Sequence, residues 1–384
     1  MTLPEIIYWL SLAILFWVFF GYPLFMILIS TLAGNKPAGE APSGELPEIS
    51  LIICAYNEEQ VIGEKIKNSL ELDYPAGKLK IIVVSDGSSD RTNEIARSFS
   101  DPRLTFLAYE ERGGKAKALN TGMAHLSGTI VVFTDANVIF EPDALRILVA
   151  NFADPKVGCV VGNVILRSAD GSIAGEGIYS RYEKAVQTAE AKIATMISVD
   201  GALYALRREF VRPIPPDSIT DDWYLGSGAL LGRKKIAWAP DAVGYELTAD
   251  SVAGEFRRKV RMVAGGYQTT FRRAGLFLNP IGHPVVSFMF VSHKLLRWLA
   301  LPFMTALLAA NLALVGQSAL FAATLAAQAG FYLLALCGWA LRNRTSTLPL
   351  YLPYYFVAVN WGALLGLWRY LAGQQSASWT KSRG

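Results

Sequence analysis

Two hydrophobic patterns divide the chain. Between Pro47 and about Ala274, short apolar runs stop abruptly at polar clusters: ISLIICA runs into YNEE, KIIVVS into DGSSD, and TIVVFT into DAN. Runs rich in β-branched residues and bounded by turn formers read as strands. Helices are expected after the first two, from Gln60 to Glu71 and from about Thr92 to Ser98. Strands alternating with helices predict a mostly parallel, Rossmann-like α/β sheet with crossover helices. Ligands gather at the carboxyl ends of such strands, near the switch in strand order. Asn57, Asp86 and Asp135 all fall just past a strand's carboxyl end.

The ends of the chain follow the other pattern. Ile6 to Leu32, Leu299 to Val315, Ala319 to Leu341 and Leu348 to Leu371 are long and apolar on every side, which predicts about four membrane spans rather than core helices. The first has no basic leader or small-residue cleavage site, so it reads as a retained anchor and not a signal peptide. Arg342 and Arg344 between the last two spans place that loop in the cytoplasm by the positive-inside rule. Counting back puts the central domain in the cytoplasm and both termini outside; the basic tail with Lys381 and Arg383 runs against that count. The expected organisation is an anchor over 1–34, a linker over 35–46, an α/β domain over 47–250, amphipathic interfacial segments over 251–298, three spans over 299–372 and a tail over 373–384. Within the interfacial part, EFRRKVRM is expected to lie on headgroups, and GHPVVSFMFVSHKLLRW to hold His293, Lys294 and Arg297 at headgroup level, with His293 on the surface.

Composition narrows the picture. The chain has 384 residues, of which 52% are hydrophobic and 18% charged, with a formal net charge of +4. The basic excess sits just before the membrane returns, where anionic headgroups account for it better than nucleic acid does. Cys54, Cys159 and Cys337 each sit in an apolar run without metal-ligand spacing, and read as reduced core or lipid-facing thiols. A dinucleotide-binding dehydrogenase would need Gly-X-Gly-X-X-Gly after the first strand. CAYNEE stands there instead.

The candidate chemistry starts at VVFTDANVIF. Asp135 and Asn137, at i and i+2, project from the same side of an extended backbone. Buried polar groups need partners, so the pair is either a capped strand end or a grip on a metal and phosphate. Asp86-Gly87-Ser88-Ser89-Asp90 has the composition of a turn that caps the next helix. GGKAKALN lacks Walker A spacing, yet a lysine after paired glycines can bring charge and backbone N–H groups to a pyrophosphate.

In order along the chain, AYNEE, VVSDGSSDRT, GGKAKALNTG, FTDAN, VDGALYALRR and SITDDWYLG resemble the inverting glycosyltransferases of family two, with the GT-A fold. Together with the apolar segments, the chain is similar to their membrane-embedded branch of cellulose, hyaluronan, chitin-oligosaccharide and poly-N-acetylglucosamine synthases. That resemblance implies a UDP-sugar donor, a glycan or lipid acceptor at the cytoplasmic face of a bacterial inner or plasma membrane, and Mg²⁺ or Mn²⁺ as cofactor. It allows a homo-oligomer or an export partner. Ala55, Tyr56 and Glu58 would line the nucleotide site, Tyr56 and Glu58 at the uracil. Asp86 would hold the nucleoside, and Lys115 would lie near the pyrophosphate. Asp135 and Asn137 take the Asp-X-Asp metal position, with Asn137 replacing the second Asp. Asp222 takes the place of the catalytic base, and Asp221 stands where a nucleotide-sugar-binding Glu is usual. Gln-X-X-Arg-Trp corresponds to Arg258-Lys259-Val260-Arg261-Met262: Arg261 keeps the family's arginine, and Arg258 and Met262 depart from it. Tyr179, Tyr182 and Glu183 are expected on a helix near the acceptor path. The altered arginine motif keeps a single-transfer glycolipid synthase as the rival reading. An inactive nucleotide-sensing or assembly subunit is the non-enzyme alternative.

Overall fold

The computed structural model describes residues 1–33, 45–167, 178–247, 252–341 and 347–375. The described residues divide into two compact units, one formed by Met26–Asp250, the other by Met1–Phe25 with Ser251–Gln375.

The first unit is built on Ile49–Ala55 (β1), Leu79–Asp86 (β2), Leu104–Tyr109 (β3), Ile130–Asp135 (β4), Val138–Phe140 (β5), Val157–Arg167 (β6), Leu203–Arg207 (β7) and Lys235–Leu247 (β8). They form one sheet in the order β3-β2-β1-β4-β7-β6-β8-β5. The half from β3 to β4 is parallel; β7 then enters antiparallel, and β6 and β8 run parallel to each other beyond it. The mostly parallel expectation thus describes the nucleotide-binding half, and the sheet as a whole is mixed. Every residue of β1 is buried, as a central parallel strand covered on both faces requires. The strand ends are level: Cys54 lies opposite Asp135, Ala55 opposite Ser85, and Asp86 opposite Tyr109. After Asp135 the chain leaves the middle of the sheet and becomes β5 at its far edge, pairing with β8.

Helix Ile62–Leu70 covers this half. It buries Ile62, Lys65, Ile66 and Ser69 on one side, the i, i+3, i+4, i+7 spacing of a core-facing stripe. Lys65 occupies a stripe position where an apolar residue is the rule.

The second unit is helical. Leu3–Leu32, Ala319–Leu341 and Leu348–Leu371 are each long and apolar enough to cross a membrane, as their sequence predicts. Leu299 to Val315 needs correction. Its helix, Ala300–Leu314, is short, and it reaches spanning length only together with Pro284–Trp298, from which it is bent by 63°. His293 is also corrected: it is fully buried, with its ring 5.9 Å from that of Tyr22. A π turn over Val291–Leu295 rotates the helix and brings Ser292 and His293 inward, where Trp17 Nε1 donates to Ser292 Oγ at 3.2 Å. At the other end of the first span, Tyr8 packs on Phe321 and its hydroxyl donates to Thr324 Oγ1 at 3.1 Å. The N-terminal segment is therefore an integral member of the C-terminal helical group. Arg342, Arg344, Lys381, Arg383 and most of the linker lie outside the described residues.

The basic helix Val252–Arg272, expected on headgroups, has a protein partner. It packs along Leu348–Leu371, where Gly362 and Gly366 let the backbones meet. A Cβ on Gly366 would stand 3.0 Å from the Val260 carbonyl oxygen and 3.1 Å from Ala264 N; on Gly362 it would stand 3.1 Å from the Phe256 ring. Small residues four apart on an apolar helix permit this kind of close approach. Gly366→Leu should force the basic helix off its seat, with an overpacking cost of roughly 1–3 kcal/mol. Thermal unfolding in detergent should show a lowered midpoint, and an unchanged midpoint would mean the helices are not so closely apposed.

Candidate active site

The carboxyl ends of β1, β2 and β4 carry the candidate residues. Two loops are knitted together there. Asn57 stands in the left-handed region at φ 54°, which an Asn side chain tolerates better than most. Its backbone N–H donates to Ser88 Oγ at 3.0 Å, and its Oδ1 accepts from Ser89 N at 2.8 Å. Glu58 N donates to Thr92 Oγ1 at 2.8 Å, and Thr92 N to Asp90 Oδ1 at 3.0 Å. AYNEE and DGSSD are thus one structural unit. Gly87, at φ 65°, lies where a Cβ would come within 2.7 Å of Arg112 N, so only glycine lets the following loop pass. Ala55 is fully buried in the core, Glu58 nearly so, and Tyr56 is half-buried.

Asp86 is fully buried. Its Oδ1 accepts from Tyr109 Oη at 2.7 Å and Gly113 N at 2.7 Å; its Oδ2 accepts from Gly114 N at 2.9 Å. This corrects one expectation. The glycine N–H groups anticipated at a pyrophosphate are directed to Asp86, which leaves Lys115 as the group that turn presents. Arg112 lies 4.0 Å from Asp86 Oδ2, with its guanidinium 3.8 Å from the centre of the Tyr56 ring. Sequence reasoning missed Arg112 and Tyr109, although an arginine directly before GGK was a visible signal.

Lys115 is the electrostatic centre. Its Nζ donates to Asp135 Oδ1 at 2.7 Å and lies 3.6 Å from Asp221 Oδ2. Burial alone would lower its pKa, but Asp135 and Asp221, with Asp222 behind them, outweigh burial and hold it above the ordinary lysine value. The sequence places these four residues on three separate elements; the fold brings them together.

Asp221 and Asp222 open helix Asp221–Leu231, with Thr220 at the N-cap. Burial and the neighbouring Asp221 push the Asp222 carboxyl up to about 7, against the opposing pull of Lys115 and of the Trp223 N–H, which donates to Oδ1 at 2.7 Å. Trp223 Nε1 anchors the helix start to the Ile197 carbonyl at 2.8 Å. A Cβ on Gly201 would come within 2.8 Å of Asp222 Oδ2, so the glycine of VDGALY makes room for this carboxylate.

Asn137 Nδ2 donates to Glu246 Oε1 at 3.4 Å. Glu246 lies opposite Val138 in the β5–β8 pairing. It was also missed, because nothing local in VGYEL links it to the DAN turn. Among the described residues, no group of three or more His, Cys, Asp or Glu could hold a metal ion. Asp135 and Asn137 offer one carboxylate and one amide oxygen. Such an incomplete oxygen set fits a divalent cation that arrives with phosphates, as Mg²⁺ commonly does. Tyr182 and Glu183 lie on helix Ile178–Ile193, and the Tyr179 side chain falls outside the described residues. Arg258 and Arg261, both half-buried, belong to the basic helix of the other unit.

The mixed sheet, with acidic residues and a lysine at the carboxyl ends of its parallel strands, has the GT-A arrangement found in solved glycosyltransferases. Residues 130–368 match Glycosyl transferase family group 2, and residues 50–209 match Glycosyl transferase family 2. The chain belongs to the family-two glycosyltransferases. Curated relatives are the poly-beta-1,6-N-acetyl-D-glucosamine synthases of Staphylococcus aureus strain COL, 29% identical over 236 residues (59% of this chain), and of Staphylococcus epidermidis strain ATCC 35984, 27% identical over 232 residues (58% of this chain). The chain spans 57% and 56% of those proteins. A solved mannosyltransferase from Pyrobaculum calidifontis, in complex with GDP-Man and Mn²⁺, superposes with a TM-score of 0.72 at 26% identity, covering 97% of this chain and 100% of its own.

Proposed function

We propose that this glycosyltransferase moves a sugar from a UDP-sugar, with inversion, to a glycan or lipid acceptor at the cytoplasmic face of a membrane. The observation that carries the reading is the convergence of Asp135, Asp221 and Asp222 on Lys115 at the carboxyl ends of the parallel strands. In this reading the Asp222 carboxylate takes the proton from an acceptor hydroxyl. The freed oxygen attacks the anomeric carbon, and the bond to the diphosphate oxygen breaks on the opposite face. A base with a pKa near the working pH suits that step. Lys115 balances charge on the diphosphate as it departs, a preorganised electrostatic role. A divalent cation held by Asp135 and Asn137 would supply further positive charge to the same phosphates. On the motif alone, Arg258 and Arg261 are also assigned to the diphosphate. Tyr56 and Arg112 are the groups available to stack on the base.

A second reading, transfer of mannose from GDP-Man, draws support from the mannosyltransferase neighbour of matching length. The test is to incubate the purified full chain in detergent with Mn²⁺, a panel of UDP- and GDP-sugars and a membrane lipid extract, and to identify products by mass. A product formed from a UDP-sugar supports the first reading; turnover with GDP-Man alone replaces it with the second. No nucleotide release from any donor would remove both.

A further inference from the structure

We infer that Lys65 is a positioning residue for the candidate cation site, holding both flanks of the Asp135-Ala136-Asn137 turn from beneath. The inference rests on the proposed role of Asp135 and Asn137. Lys65 lies on helix Ile62–Leu70 and is fully buried. Its Nζ donates to the Val138 carbonyl at 2.5 Å, just after the turn, and to Thr134 Oγ1 at 3.3 Å, just before it. Its Nζ also stands 3.8 Å from the centre of the Phe140 ring. One turn on, Asn68 exchanges two 2.9 Å bonds with the backbone of Phe140. The helix therefore grips the chain at Thr134, Val138 and Phe140, leaving the residues between Thr134 and Val138 to face the site. Thr134 relays the hold, since its hydroxyl donates to the Ala202 carbonyl at 2.9 Å, next to the Gly201 that accommodates Asp222.

Stability does not account for a lysine here. Removing a lysine amine from water is costly, and hydrogen bonds to two neutral acceptors return only part of that cost. Methionine would fill the same stripe position without that cost. What methionine cannot supply is a donor to two acceptors on opposite sides of a three-residue turn. Groups that orient ligating residues from behind are worth about 10–100-fold in metal affinity or activity.

The test uses the full chain in detergent with UDP present, following free Mn²⁺ by its EPR signal. Wild type, Lys65→Met and Lys65→Gln are titrated, and thermal midpoints are recorded alongside. The expected result for Lys65→Met is a chain that still unfolds cooperatively, with Mn²⁺ affinity weakened about 10-fold. Lys65→Gln keeps one donor without the charge and should lie between it and wild type. The half-saturating Mn²⁺ concentration for turnover should rise in parallel. Wild-type Mn²⁺ affinity in a folded Lys65→Met overturns the inference; if that variant is not recovered folded, the same result in Lys65→Gln overturns it. Failure of the wild type itself to bind Mn²⁺ with UDP overturns the underlying cation-site reading instead.

Discussion

Asp222→Asn should bind nucleotide like the wild type and lose turnover by roughly 10²–10⁴-fold, the usual worth of a positioned general base. The asparagine preserves shape and can still accept from Trp223 N–H, so the substitution removes the proton acceptor and little else. Its stability gives an independent check. The folded-state pKa of Asp222 is raised to about 7 from the ordinary aspartate value of 3.8. Between those values the folded chain binds more protons than the unfolded one, so ionising Asp222 costs stability as pH rises through that window. Asp222→Asn should therefore be no less stable than wild type at pH 8, and a large fall in its thermal midpoint would refute this account of the carboxylate. For the wild type, kcat/KM should climb with pH through about 7 and level off above it, because the base works ionised. A profile flat from pH 5 to 9 would assign the proton transfer elsewhere.

Asp135→Ala should be nearly as damaging, at about 100-fold or more in turnover, the scale of losing one preorganised electrostatic contact to a developing charge. The cause would differ. Asp135 is the carboxylate of the DAN turn and also the nearest partner of Lys115 at 2.7 Å. Its removal frees Lys115 toward Asp221, 3.6 Å away, and takes the only charged oxygen ligand from the proposed cation site. The distinguishing measurement is Mn²⁺-dependent nucleotide binding, which should fall in Asp135→Ala and persist in Asp222→Asn. If both variants bind Mn²⁺ and nucleotide like the wild type, Asp135 is not a cation ligand.

Much of this site was readable in the linear chain because its parts are local. AYNEE, DGSSD and DAN each end a short apolar run, and a strand followed by turn residues is recognisable within a few positions. Asp221 and Asp222 stand together in sequence and in space, and Gly113-Gly114 announces the turn before Lys115. What failed to show was of longer range. Glu246 approaches Asn137 because β5 crosses to the far edge of the sheet and pairs with β8. Lys65 looked like any helical lysine until its stripe position was matched to the turn it supports. The partners that hold Asp86, namely Tyr109, the two glycines and Arg112, come from β3 and the turn after it, and nothing in DGSSD names them.

The apolar helices divide in the same way. Ala319–Leu341 and Leu348–Leu371 follow from hydropathy alone, since length and composition suffice for a segment that needs no particular neighbour. The bend between Trp298 and Ala300, the inward turn of His293 and the seating of Val252–Arg272 on Gly362 and Gly366 depend on which surfaces meet. By itself, the sequence determined the first parallel strands, the strand-end acids, the long apolar helices and the family, because periodicity and turn chemistry act over a few neighbouring residues. Only the tertiary structure decided which acid meets Lys115, what supports the DAN turn and which helices pack together. Those outcomes belong to strand order and close packing between residues far apart in the chain, and local pattern carries no information about them.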